Sequence, residues 1–153
     1  MELFNNPSVY RSLALKSIAQ YGYAPEHNLD WFEIVAADQK QEPVFVNWPD
    51  GTGLLTGKEE GAWYVFVEPL APAGKRGQAI AEFCEYTLNQ SEIKKIVLEL
   101  RTETRRELLR VLPPSLKARS INYSMTWPIM NMEKFDPALP GGHWKDYRNA
   151  KNK

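Results

Sequence analysis

Cysteine is almost absent: Cys84 is the only one in 153 residues. A disulfide within the chain and a cysteine-based zinc cluster are therefore excluded. Histidine is nearly as scarce, and His27 and His143 together make no spaced metal cluster. Net charge is missing too. The 19 Lys and Arg residues balance 19 Asp and Glu residues, so no global field draws the chain to nucleic acid or to a membrane. Any such binding needs a local patch. No apolar run is long enough to span a bilayer. The first residues, MELFNNPSVYR, carry no apolar signal-peptide core, and the expectation is a cytoplasmic protein.

What is there reads as an ordinary globular composition, 43% hydrophobic and 25% charged, with enough length for one domain with a real core. Asn6-Pro7 is a helix start, and Val9, Tyr10, Leu13, Ala14, Ile18 and Tyr21 form a helical stripe ending at Gly22. Strands are expected at WFEIVAA (31–37), PVFVNW (43–48) and GLLTG (53–57), with a turn at Trp48-Pro49-Asp50-Gly51. AWYVFVE (62–68) has the unbroken apolar character of a strand buried on both faces. A helix follows over 77–89, then a second buried strand, IVLEL (96–100). Thr104 and Glu107 have capping-box spacing ahead of Leu108, Leu109, Val111 and Leu112. Pro113-Pro114 ends that helix, and YSMTWPIM (123–130) suits an edge strand. The order predicts an α/β (α+β) fold: a mixed, mostly antiparallel sheet with a central strand–helix–strand crossover.

The chemistry is expected where the crossover begins. PLAPAGKRGQA follows the strand and opens the helix, so its N–H groups and the helix dipole can meet an anion. Gly74, Gly77 and Ala79 allow close approach, Lys75 and Arg76 add charge, and Gln78 completes the stretch. The same residues also suit a tight strand-to-helix turn with solvated basic side chains.

The loop and the element order resemble the GCN5-related N-acyltransferase (GNAT) fold, whose loop motif is Gln/Arg-x-x-Gly-x-Gly/Ala. Gly74-Lys75-Arg76-Gly77-Gln78-Ala79 matches its last half, with Gly74 where Gln or Arg is usual. Pro69 and Pro72 carry no backbone donor just upstream. From Tyr123 the run Y-S-M-T-W-P-I-M-N-M-E-K-F, then Leu139-Pro140-Gly141-Gly142 and Trp144-Lys145-Asp146-Tyr147-Arg148-Asn149, is similar to the phosphatidylglycerol lysyltransferase C-terminal-like family. That resemblance implies an acyl-CoA N-acyltransferase-like domain over 1–138. Residues 139–153 would begin a linker helix or C-terminal arm. It further implies the first half of a two-domain aminoacyl or acyl transferase, with acyl-CoA or aminoacyl-tRNA as donor and an amine or hydroxyl acceptor.

Under the same resemblance Gly74, Lys75, Arg76, Gly77 and Gln78 would bind the donor's phosphates, and Glu68 at the strand end would be the general base. Tyr123 is the candidate general acid, although acyltransferases of this kind carry theirs on the helix that here reads RRELLRVL. Solvated carboxylate and core tyrosine are the alternatives for this pair. Lys145, Arg148 and Lys151, with Trp144 and Tyr147 to stack, form a candidate tRNA-binding arm. The arm equally suits an amphipathic linker helix that docks on a second GNAT-like domain or a second copy of the chain. A non-catalytic GNAT-like recognition or dimerisation domain and a self-contained CoA-dependent N-acetyltransferase are the other two readings.

Overall fold

The computed structural model describes residues 1–90 and 92–116. In chain order the elements are β1 (Glu2–Phe4), α1 (Pro7–Tyr21), α2 (Leu29–Asp38), β2 (Glu42–Asn47), β3 (Gly53–Glu59), β4 (Ala62–Val65), α3 (Arg76–Leu88), β5 (Lys95–Leu98) and α4 (Thr102–Val111). The described strands form one five-stranded sheet in the order β1-β2-β3-β4-β5. Its first three pairings are antiparallel, while β4 and β5 pair in parallel across the α3 crossover. This is the mixed, mostly antiparallel α/β class that the element order predicts.

Side-chain alternation sorts the helices onto the two faces. Val44, Val46, Leu54, Trp63 and Val65 pack with Ala79 and Phe83 of α3. Phe45 and Leu55, together with Val67 beyond the end of β4, pack instead with Tyr10 and Ala14 of α1 and Leu29 and Phe32 of α2. A third cluster joins Ile80, Ala81 and Cys84 of α3 to Leu108 of α4. Cys84 behaves as a small buried hydrophobe, and burial pushes its thiol up to about 12.

Four expectations need correction. Residues 31–37 are helical, not a strand. WFEIVAA has the aromatic and β-branched composition of a strand, but the Asn28 side chain caps a helix by accepting from the Trp31 N–H at 3.0 Å. Leu29, Phe32 and Ala36 then bury one helical face. The strand expected over 62–68 stops at Val65. The strand expected over 96–100 is not buried on both faces: β5 alternates exposed and half-buried residues. Finally, Thr104 and Glu107 do not form a capping box. Helix α4 starts earlier, with Arg101 at its cap, and both side chains reach out to other parts of the fold. Strand β1 carries no turn signal or alternation long enough to be seen in the sequence. The expected strand 123–130 lies outside the described residues.

Candidate functional site

Beyond Val65 the chain bulges. Within β3 and β4, Gly57 lies opposite Tyr64 and Glu59 opposite Ala62. Continuing that register would set Gly53 opposite Glu68, but Gly53 pairs with Leu70. The segment 66–69 therefore holds two extra residues, and such bulges redirect side chains. Glu68 is the residue redirected. It lies past the strand end, at the carboxyl side of the β4–β5 pair, and is 3% exposed.

The Glu68 carboxylate gathers three donors from two separate segments, the α1–α2 loop and the start of α4. Tyr23 Oη donates to Oε2 at 2.9 Å. The buried Thr104 hydroxyl of α4 donates to the same oxygen, and the Arg101 backbone N–H donates to Oε1. The charge thus sits at the N-terminus of α4, where a helix favours an anion. Both oxygens are engaged, so a proton-accepting role would require the carboxylate to release a partner. The arrangement works chemically as a clamp joining the bulge, the α1–α2 loop and α4.

That loop is locked by His27. Its Nδ1 accepts from the Tyr23 and Ala24 N–H groups at 3.0 and 3.2 Å, so the proton resides on Nε2, which donates to the Glu68 carbonyl at 2.9 Å. Both ring nitrogens are spent, and among the described residues no cluster suitable for a metal occurs. Burial lowers the His27 pKa, against the opposing pull of the Glu68 carbonyl and nearby carboxylates. A folded pKa below the ordinary value means that stability is fully present above about pH 6.5 and declines as pH falls from there toward the folded pKa. Replacing His27 with Gln is expected to flatten the stability profile below about pH 6.5, as followed by urea unfolding at a series of pH values. An unchanged acid slope would show that His27 does not titrate on unfolding.

Two guanidinium groups border the same loop. Arg76 Cζ lies 3.7 Å from the Tyr23 ring centroid and Arg101 Cζ lies 5.7 Å from it. Arg101 also pairs with Glu26 at 2.7 Å. Burial, followed by Glu68, raises the Tyr23 pKa, which keeps the phenol protonated and donating. Tyr23 carries no sequence signal for this role. The expected general acid, Tyr123, lies outside the described residues, as do Lys145, Arg148 and Lys151.

The Gly-rich loop holds an anion of the chain's own. Glu107 of α4 accepts from Gly74 N–H at 3.0 Å through Oε1 and from Gly77 N–H at 3.1 Å through Oε2. The Lys75 N–H bonds to Pro72 O. Gly74 has φ of +84°, with open space around its missing side chain, whereas a Cβ on Gly77 would lie 2.3 Å from Leu108 N. Gly77 therefore serves the close crossing of α3 by α4. Lys75 and Gln78 are exposed, and Gln78 bonds to Glu82 at 3.1 Å. The donors expected for an external phosphate are thus shared with a neighbouring helix.

Comparison with known proteins adds no relative: no family model, no curated protein and no solved structure matches the chain. Among the described residues no helix is long and apolar enough to cross a membrane.

Proposed function

We propose that this chain carries an acyltransferase-like domain that serves recognition rather than CoA-dependent transfer. The order β1-α1-α2-β2-β3-β4-α3-β5-α4, with a parallel β4–β5 pair around a Gly-rich turn, supports the acyltransferase-like part. The observation that carries the second part is Glu107, whose two oxygens occupy the N–H groups of Gly74 and Gly77. A pyrophosphate on those groups would meet a carboxylate already in place, and like charges at contact repel. Glu68, the expected base, is committed to Tyr23, Thr104 and the Arg101 N–H. The reading of the chain as half of a two-domain aminoacyl transferase draws on the segment from Tyr123, outside the described residues.

Thermal unfolding with CoA or acetyl-CoA provides the test, together with acetyl transfer to small amines. A ligand present at a hundred times its Kd would add about 2.7 kcal/mol of stability. No shift with either cofactor and background turnover are expected. Clear turnover that disappears in Glu68→Gln would overturn the recognition reading and restore a catalytic one.

A further inference from the structure

We propose that Arg76 and Arg101, which share the Tyr23 ring, form a clamp for a small molecule ending in an oxyanion, either a carboxylate or a phosphate. The clamp uses the Arg76 side chain rather than the Gly74 and Gly77 N–H groups, and does not depend on the acyltransferase-like reading.

The first argument is charge. Arg101 has Glu26 as its partner, but Arg76 makes no ion pair with a carboxylate among the described residues. The nearby Glu68 carboxylate is turned to Tyr23, Thr104 and the Arg101 N–H rather than to either guanidinium. An added anion would give the Arg76 guanidinium the charge partner that Arg101 already has in Glu26.

The second argument is preorganisation. Arg76 is half-buried, stacked on Tyr23, and tied through Nε to the Ala71 carbonyl at 3.3 Å. These contacts fix the guanidinium plane while using only Nε among the described residues. Its terminal nitrogens can offer the paired donors that suit a carboxylate or phosphate edge. Little side-chain freedom remains to be lost on binding.

The third argument is place. Arg76 is the first residue of α3 and Arg101 caps α4. Both stand beyond the carboxyl ends of β4 and β5, the parallel strands, where open α/β sheets commonly take ligands. Tyr23 keeps 40% of its surface exposed, so the place is open to solvent.

The test titrates the protein with sodium phosphate and, separately, with sodium acetate. Chloride holds the ionic strength constant, and NMR follows the arginine Nε–H signals. Saturable shifts at Arg76 are expected with at least one anion, and the better of the two identifies the headgroup. Affinity should fall by about tenfold or more in Arg76→Met, and similarly in Arg76→Lys, which keeps the charge but loses the fork. Dispersed amide spectra of both variants establish that they fold. Lack of saturation with either anion, or equal affinity in Arg76→Lys and Arg76→Met and the parent, overturns the proposal. So does binding that is gained in Glu107→Ala and survives Arg76→Met, because that result assigns the anion to the Gly74–Gly77 loop.

Discussion

Glu68→Ala is expected to cost about 3 kcal/mol of folding stability, because it removes three hydrogen bonds to a charged group and leaves the buried Thr104 hydroxyl without its acceptor. Glu68 is 3% exposed, and its loss strands the buried Thr104 hydroxyl and removes the acceptor of the Tyr23 hydroxyl and the Arg101 N–H. Three segments lose their common anchor in one step: the α1–α2 loop, the bulge and the start of α4. Glu68→Gln should recover part of the loss, because its carbonyl still accepts while its amide adds a donor among donors. Urea unfolding followed by tryptophan fluorescence measures both. A loss below about 1 kcal/mol for Glu68→Ala would refute the clamp, since an exposed strand-end carboxylate is worth no more than that.

The second large effect is expected at Gly77. A Cβ there would stand 2.3 Å from Leu108 N and 2.4 Å from Glu107 C. Both are backbone atoms of α4 and cannot turn aside as a side chain would. Gly77→Ala should therefore cost about 3 kcal/mol, at the upper end for overpacking. Gly74→Ala is the control. Its φ of +84° is unfavourable for an L-residue but no atom lies within 4 Å, so about 1 kcal/mol is expected. Equal costs at the two positions would mean that α4 does not press on the loop. The Gly77 effect should also couple to Glu68. Pushing α4 away moves Thr104 and Glu107 together, so Gly77→Ala combined with Glu68→Ala should cost less than the separate losses added.

Local signals carried much of the architecture. Asn6 and Pro7 start α1 as their chemistry demands, and the apolar runs place β2, β3 and the beginning of β4 within a residue or two. The Gly-rich stretch does open α3. Errors arose where composition and period disagreed. Residues 31–37 look like a strand by residue type, yet the Asn28 cap and the Leu29, Phe32, Ala36 spacing make them helical. Thr104 and Glu107 match a cap by spacing, yet α4 is already under way at both positions.

For the candidate site, sequence reading located Glu68 and the loop 74–78 but not what meets them. Glycine spacing and positive charge at a helix start attract an anion, and that attraction is written in local sequence. Which anion arrives depends on the crossing of α4 over α3, which brings Glu107 to Gly74 from 33 residues away and to Gly77 from 30. The partners of Glu68 depend likewise on the bulge at 66–69, because a shift of register decides which way a side chain points. By itself the sequence determined most of the periods, the Asn6-Pro7 helix start, the exclusion of an in-chain disulfide and the presence of an anion-seeking turn. Only the tertiary structure decided that Glu107 satisfies this turn and that Tyr23, Arg76 and Arg101 converge beside it. Helical and strand periods are set by neighbouring residues, whereas these contacts exist only after distant helices pack.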